Sequence, residues 1–254
     1  MTEALSLFAV PGVPLIGEGD SIAEIILQQL QAADYLLAEG DVIVIAQKII
    51  SKAEGRYRRL GDINPGVEAI DLARQCDKDP RLVQAILDES ESVVRVKPGV
   101  LIVKHKLGYI HANAGIDQSN IRNDEHRESI LLLPENPDVS ARAIAESIYE
   151  SLGVRVGVII NDSFGRPWRM GTCGVCIGSA GVTRVVDQRG NSDLFGNELK
   201  VTQPAVADEL AAAASFLMGQ AAEGKPVVIV RGADVVSDNE GASLIRPSDQ
   251  DLFL

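Results

Sequence analysis

Two aspartates stand where apolar segments end, so their side chains could reach a ligand. Asp117 lies in the segment NAGIDQSN, just after a predicted strand at 109–113, and Asp162 follows the apolar run 154–160. Strand ends hold side chains in place while leaving them open to solvent. Carboxylates, with the hydroxyl of Ser163, suit Mg²⁺ or Mn²⁺. The pattern therefore indicates a candidate cation site, although Asp117 could equally cap its own backbone in a turn.

Two arginines follow Asp162 within a few residues. Arg166 and Arg169 flank Trp168, and guanidinium groups form paired hydrogen bonds with carboxylates and phosphates. We therefore expect an anion clamp beside the cation site, with Arg166 orienting the acidic groups of a substrate as a candidate catalytic residue. In the alternative interpretation, Trp168 is a packing anchor and both arginines are solvated.

A compact basic segment is the third candidate. The window 48–59 holds five cationic side chains against Glu54, a local charge of about +4 by the ordinary charges of Lys, Arg and Glu, in a chain whose net charge is −12. Such a segment after a buried strand predicts contact with a small anion, whereas a solvated face is the ordinary alternative. The loops at 14–20 and 218–225 could bring backbone N–H groups to phosphates. Neither loop matches a Walker or GxGxxG pattern.

Other chemistries find little support in the sequence. Cys173 and Cys176 form a CxxC pair, but on a predicted strand these positions face opposite sides, which disfavours chelation and disulfide formation. His105, His111 and His126 share no ligand spacing, and the chain has no GxSxG nucleophile motif. Hydrolase triads and zinc sites are therefore not expected.

Alternating predicted strands and helices must position these residues. Ser21 and Glu24 predict a capping box that opens a helix at 22–37, and small residues in the strand at 172–182 predict close backbone approach. Strands are predicted at 4–10, 42–46, 93–96, 100–106, 109–113, 154–160, 172–182 and 226–230, and helices at 22–37, 67–76, 80–91, 138–152 and 204–218. A basic loop is expected after the strand at 42–46. The pattern predicts an α+β fold, a single unit over 1–254 with two subdomains that meet near 123–128.

The composition excludes several classes of protein. The chain has 254 residues, 46% of them hydrophobic, with a net charge of −12, which opposes binding to nucleic acid or anionic lipid. The longest apolar run is far shorter than a membrane span of roughly 20 residues. Three cysteines and an N-terminus without secretory features favour a reducing, cytoplasmic location.

Seven ordered segments together resemble the coenzyme F-420-0:L-glutamate ligases, the gamma-glutamyl ligases of deazaflavin coenzyme biosynthesis. These segments are PGVPLI at 11–16 followed by Gly19-Asp20, ISKAEGR at 50–56, NAGIDQSN at 113–120, LLLP at 131–134, VGVIINDSFGR at 156–166, DLFG at 193–196 and VADE at 206–209. The resemblance covers nearly the whole chain. It implies a family-specific α+β fold with mixed sheets, an intertwined homodimer, and no fused reductase-like domain.

The resemblance also implies an activity and its site. It implies a GTP-dependent ligase that joins the carboxylate of the deazaflavin precursor to L-glutamate through an acyl phosphate and then adds a gamma-linked second glutamate. Asp117 and Asp162 would hold one divalent cation, Mg²⁺ or Mn²⁺, and Ser163 and Gln220 a second, with K⁺ as a further cation. The nucleotide would contact Val13, Pro14, Leu15, Ile16, Gln47, Lys48, Lys52, Asn120, Met218, Gly219, Gln220, Ala221, Ala222, Glu223, Gly224 and Lys225.

Two alternatives stay open at this stage. An amide ligase of the same fold could act on another carboxylate, because one sequence does not reveal the selectivity of the acceptor pocket. A non-catalytic module that binds GTP and metal is the other alternative, favoured by the uncharged Gln220 and disfavoured by Asp117, Asp162 and Lys52.

Overall fold

The computed structural model describes residues 4–121 and 128–251. In chain order the elements are β1 (Ser6–Ala9), α1 (Ile22–Ala32), β2 (Val42–Ala46), α2 (Gln47–Ala53), β3 (Tyr57–Arg59), α3 (Val67–Cys76), α4 (Pro80–Asp88), β4 (Ser90–Lys97), β5 (Val100–His105), β6 (Ile110–Ala112), β7 (Ser129–Leu131), α5 (Pro137–Leu152), β8 (Gly157–Arg166), β9 (Arg169–Ala180), α6 (Val206–Met218) and β10 (Val227–Arg231), with 3₁₀ turns at Leu60–Asp62, Asn113–Gly115 and Ser248–Gln250. The predicted α+β class with mixed sheets is confirmed.

A mixed five-stranded sheet forms the centre of the molecule. Its order is β1-β10-β2-β8-β9, and β2 and β8 form its parallel pair. Four of the five residues of β2 are buried, as expected for a strand that is covered on both faces. Two smaller sheets, β3-β7 and β4-β5-β6, lie outside it.

Helices cover both faces of the central sheet because its strands alternate their apolar side chains. Ile43 and Ile45 of β2 pack in one cluster with α1 and α5, whereas Val42 and Val44 pack in another with α6. A third cluster joins α3 and α4 to β5 and β7. This cluster includes residues on both sides of the predicted boundary near 123–128. Residues 122–127 lie outside the described part of the chain.

Two glycines of β9 let the helices approach the sheet closely. A Cβ at Gly174 would lie 2.5 Å from Ser215 Cβ of α6, and one at Gly178 would lie 2.4 Å from Pro137 Cβ of α5. Real Cβ atoms do not tolerate such distances, since interiors are close-packed. The close backbone approach predicted for this strand is confirmed.

Several predicted boundaries are wrong, and each has a local cause. Helix α1 ends at Ala32 rather than 37, because Asp34 has a left-handed backbone and the Tyr35 N–H bonds to Leu30 O instead. Helix α4 ends at Asp88, not 91, since the next residues join β4. The predicted basic loop after β2 is helix α2, in which Gln47, Ile50 and Ser51 are buried at the i, i+3, i+4 spacing of one helix face.

The most consequential correction concerns β8. The strand was expected to end at 160, with Asp162 at its solvent-facing end, but β8 continues to Arg166. Its polar half pairs with β9, from Asp162 opposite Val175 to Gly165 opposite Thr172. These ladder hydrogen bonds hold a polar sequence in strand conformation. Asp162 is therefore fixed within a hairpin rather than at a solvent-facing strand end.

Among the described helices, none combines the length and the apolar character that crossing a bilayer requires. All three cysteines are free thiols, and two of them, Cys76 and Cys176, are buried.

Candidate active site

Helix α2 directs its first polar side chains toward Asp117. The Gln47 amide donates to Asp117 Oδ2 at 2.7 Å, and Lys48 Nζ lies 3.2 Å from Asp117 Oδ1. Ser51 donates to Gln47 Oε1 at 2.9 Å, so the amide can present only its N–H₂ group to the carboxylate. The backbone of Asp117 is fixed as well, by paired hydrogen bonds with Leu131 at the end of β7. Asp117 is thus held at both backbone and side chain.

The residues after Asp117 connect α2 to the loop after α6. Lys48 Nζ donates to the carbonyl and hydroxyl of Ser119, and Lys52 Nζ donates to Asn120 O at 2.8 Å. The Asn120 amide in turn donates to Ala221 O at 3.1 Å. These contacts bring together three segments that are far apart in the chain.

Asp162 is oriented by a different set of partners. Its Oδ1 accepts from the Ser163 N–H at 2.7 Å, and its Oδ2 lies 3.1 Å from His111 Nε2 of β6. The other ring nitrogen of His111 lies 2.8 Å from Ala112 O. The ring packs edge-on against Phe164, with centroids 4.0 Å apart.

Ser163 and Gln220 form a second pair of oxygen donors. Ser163 Oγ lies 2.8 Å from Gln220 Oε1, and the Gln220 amide donates to Ser215 Oγ of α6 at 3.0 Å. Neighbouring residues of a strand point to opposite faces, so Asp162 and Ser163 serve the two sides of β8. Because β2 ends at Ala46, opposite Asn161, β2 does not cover the edge of β8 beyond that point.

The charge of one carboxylate affects the pKa of the other. Burial raises the pKa of Asp117; Lys48 lowers it and the nearby charge of Asp162 raises it, and the net pKa is above the usual range. A cation between the two groups would relieve this repulsion. Burial and the neighbouring Lys48 lower the pKa of Lys52, an effect that an added anion would oppose.

The two carboxylates also affect the pKa of His111. Burial alone would lower the pKa of His111, but the hydrogen bond and charge of Asp162, with contributions from Ala112 O and Asp117, outweigh burial and raise it. The side chains of His111 and Asp162 are only 11% and 15% exposed. The contact is therefore shielded from water on most sides.

The donor set matches hard divalent cations. Across residues 4–121 and 128–251, no group of three or more His, Cys, Asp or Glu side chains is gathered to hold a metal ion alone. Asp117, Asp162, Ser163 and Gln220 instead supply carboxylate, hydroxyl and amide oxygens, the ligands of Mg²⁺ and Mn²⁺. Such incomplete shells suit cations that are shared with phosphate oxygens and water.

Comparison with known proteins identifies the family. The family model described as F420-0:Gamma-glutamyl ligase matches residues 12–232. The chain belongs to this family. It is 45% identical over 252 residues to the coenzyme F420:L-glutamate ligase of Methanothermobacter thermautotrophicus, covering 98% of each chain. It is 47% identical over 238 residues to the protein of that name from Methanocaldococcus jannaschii, covering 93% of this chain and 91% of the relative. The resemblance inferred from the sequence is confirmed.

Five of the residues predicted to contact the nucleotide lie around this centre. Lys48, Lys52, Asn120, Gln220 and Ala221 are joined by the contacts above. The chain that follows the loop at 13–16 is tied to the end of α2, one residue beyond Lys52, because the Gly19 N–H donates to Ala53 O. In that loop, Ile16 is in the core and Leu15 is 86% exposed.

The remaining predicted residues are distributed along the loop after α6. Met218 is buried at the end of the helix, and Gly219 has a positive φ of 76°. The Glu223 carboxylate accepts from the Ala221 N–H at 2.8 Å, which fixes the bend of the loop. The other members, Ala222, Gly224 and Lys225, are exposed.

Two predicted features lie elsewhere. Arg166 is exposed at the tip of the β8–β9 hairpin, roughly 13 Å along the strand from Asp162 at about 3.3 Å per residue, and Arg169 starts the return strand. The basic window divides as well. Lys48 and Lys52 face the acidic centre, whereas Arg56 pairs with Glu89 and Arg58 with Asp88.

Sequence reasoning missed two features of this centre. His111 is 51 positions from Asp162 in the chain, and no spacing rule connects them. Gln47, expected at the nucleotide, is only 4% exposed and is engaged with Asp117 and Ser51. Because a loop was predicted after β2, the position of Gln47 at the start of a helix was not expected.

Proposed function

We propose that the protein is a GTP-dependent ligase that adds L-glutamate to the deazaflavin precursor F420-0 and then attaches a second, gamma-linked glutamate. Family membership makes it a ligase that forms carbon–nitrogen bonds. Relatives named coenzyme F420:L-glutamate ligase are similar to the chain over nearly their full length. The observation that carries the mechanistic part is the pairing of two coupled carboxylates with Lys48 and Lys52. This combination suits a phosphate-bearing co-substrate and its cations.

The reaction needs an activated carboxylate. A carboxylate oxygen of F420-0 attacks the γ-phosphorus of GTP, and the bond to the β-phosphate oxygen breaks, so that GDP leaves and an acyl phosphate forms. The glutamate amine then attacks the acyl carbon, the carbon–phosphate oxygen bond breaks, and phosphate and a proton are released. Each step brings anions together, so positive charge must be supplied at the site.

The named side chains divide this work. Asp117 and Asp162 would hold one divalent cation, and Ser163 and Gln220 the second; when bound, the cations neutralise phosphate charge. Lys48 and Lys52 would turn from Asp117 and Asn120 O to phosphate oxygens, and the loops at 13–16 and 218–225 would enclose the nucleotide. We propose that K⁺ assists as a further cation, and that Arg166 orients a substrate carboxylate from the hairpin of a second protomer in a cytoplasmic homodimer.

The test is mass spectrometry of the protein incubated with F420-0, GTP, Mn²⁺ and L-glutamate, with matched reactions lacking GTP, metal or K⁺. We expect a GTP-dependent gain of one or two glutamyl units. Asp162→Asn should lower the rate by about 100-fold or more, because it removes one charge from the site that binds the cation. Asp71→Asn is the matched control, since Asp71 pairs with Arg74 on the surface of α3.

The outcomes separate the candidate functions. GTP-dependent phosphate release with a different acidic acceptor, and none with F420-0, would indicate an amide ligase of other specificity. Binding of GTP and Mn²⁺ without product from any acceptor would indicate a non-catalytic module. Full activity of Asp162→Asn would remove Asp162 from the cation site.

A further inference from the structure

His111 has the contacts of a positioning residue for one of the two carboxylates. Its Nε2 lies 3.1 Å from Asp162 Oδ2, and its Nδ1 lies 2.8 Å from Ala112 O. Both oxygens can only accept, so a neutral ring donates to one of them and a protonated ring donates to both. Phe164, two residues beyond Asp162 on the same face of β8, packs against the ring. The ring is thereby fixed in position and in rotation.

The carboxylate that the ring contacts has few other restraints. Asp162 Oδ1 accepts from the N–H of the next residue, Ser163, which holds one oxygen close to the backbone. Oδ2 extends away from the strand, and His111 is the partner that the described residues give it. Without this contact, the Ser163 N–H would be the one hydrogen bond from the described residues that restrains rotation about the terminal bond of the side chain, and Oδ2 could turn away from the acidic centre.

We propose that His111 is a positioning residue that donates from Nε2 to Asp162 and holds this carboxylate in the orientation that binds the divalent cation. The inference rests on the proposed function for the identity of the cation site. Partners that orient a ligating carboxylate typically change metal affinity by about 10- to 100-fold when removed. Asp117 has an analogous partner in Gln47, which Ser51 orients, so each carboxylate of the centre has its own donor.

The substitutions separate hydrogen bonding from packing. His111→Phe keeps a ring against Phe164 but removes both nitrogens, and His111→Gln restores a donor at about the distance of Nε2. Tyr109→Phe is the matched control, because the Tyr109 ring also contacts Phe164 edge-on, with centroids 6.1 Å apart, but its hydroxyl donates to Ile177 O rather than to Asp162.

Mn²⁺ is the probe, titrated alone and followed by electron paramagnetic resonance, with circular dichroism as a check of folding. We expect His111→Phe to weaken Mn²⁺ binding by about tenfold or more, His111→Gln to recover most of the loss, and Tyr109→Phe to match the wild type. In the ligase assay, His111→Phe should raise the metal concentration that gives the half-maximal rate. In an Asp162→Asn background, His111→Phe should cause no further loss.

A second measurement does not depend on a folded variant. The chain has three histidines, so ¹⁵N spectra of the wild-type rings can be assigned, and we expect a hydrogen on His111 Nε2. A bare Nε2, or wild-type Mn²⁺ affinity in a folded His111→Phe variant, overturns the inference while leaving the ligase activity intact. Failure of the wild type to bind Mn²⁺ or to add glutamate would instead contradict the proposed function.

Discussion

At the scale of single residues, His105 shows how burial sets a charge state. Its side chain is 3% exposed, and its Nδ1 accepts from the Leu107 N–H at 2.9 Å. Nε2 has no hydrogen-bond partner among the described residues; Glu89 Oε2 lies 3.9 Å away. Burial, aided by the positive charges of His111, Arg56 and Lys106, lowers the pKa of His105 to about 4.

This pKa predicts a loss of stability in mild acid. The folded state favours neutral His105, whereas the unfolded chain gains a proton near pH 6.5. The free energy of unfolding should therefore be unaffected by His105 above pH 6.5 and decrease as the pH falls toward 4, by at most about 3 kcal/mol. Urea unfolding at pH 7 and pH 4.5 would measure the loss.

His105→Asn provides the comparison, because an Asn oxygen can accept from the Leu107 N–H without titrating. The variant should lose less stability than the wild type between the two pH values, since the other titratable groups contribute equally to both proteins. Equal losses would show that protonation of His105 does not oppose folding.

The residues of the candidate site were predictable where the neighbouring sequence indicates their chemistry. Asp117 and Asp162 follow apolar segments, and Lys48 and Lys52 stand in a basic window, so their chemistry was visible. His111 carried no such signal, because its meaning depends on β6 meeting β8 across 51 residues. Contacts of that separation are set by how strands and helices pack, which spacing along the chain does not encode.

At the scale of elements, the hairpin of β8 and β9 supports both halves of the site. One face of β8 presents Asp162 to β6, and the other presents Ser163 to the loop after α6. Gly174 of β9 lets α6 approach, since a Cβ there would lie 2.6 Å from Ala211 O as well as against Ser215. The position of Gln220 therefore depends on a glycine 46 residues earlier in the chain.

Gly174→Ala should accordingly damage both stability and the site. The added methyl group must push α6 outward, which we expect to cost about 1–3 kcal/mol and to displace Gln220 from Ser163. Gly165→Ala, in the same hairpin, has no atom within 4 Å of the new Cβ and should change stability by less than about 0.5 kcal/mol. Thermal melts and Mn²⁺ titrations of both variants would test this, and equal behaviour of the two would contradict the role of Gly174.

Elements were predictable where caps and periodicity agreed. Helix α3 has the predicted bounds and α5 begins one residue earlier, and β2 matches because its apolar run is bounded by a turn. The polar half of β8 was missed because its strand conformation comes from pairing with β9, not from its own composition. Helix α2 was missed because its basic residues obscured a short apolar face.

At the scale of the whole molecule, we predict that a second copy of the chain covers the exposed apolar side chains. Trp168 and Met170 at the hairpin tip are 84% and 97% exposed, and Leu194 and Phe195 in the loop before α6 are 99% and 90% exposed. Soluble monomers seldom expose large contiguous apolar patches, and such surfaces commonly mark interfaces. A homodimer in which the hairpin tips are covered would account for them.

Trp168 is the sole tryptophan of the chain, so its fluorescence reports on this interface directly. We expect sedimentation to show a dimer at micromolar concentration, with tryptophan emission at short wavelength that shifts to longer wavelength as dilution releases monomers. Phe195→Asp should weaken the dimer by at least tenfold, about 1.4 kcal/mol, because a charge would be buried. Val67→Asp is the control, since Val67 is 79% exposed at the start of α3, where an acidic residue is favourable. A monomer with fully exposed tryptophan emission at all concentrations would contradict a dimer that covers the hairpin tip.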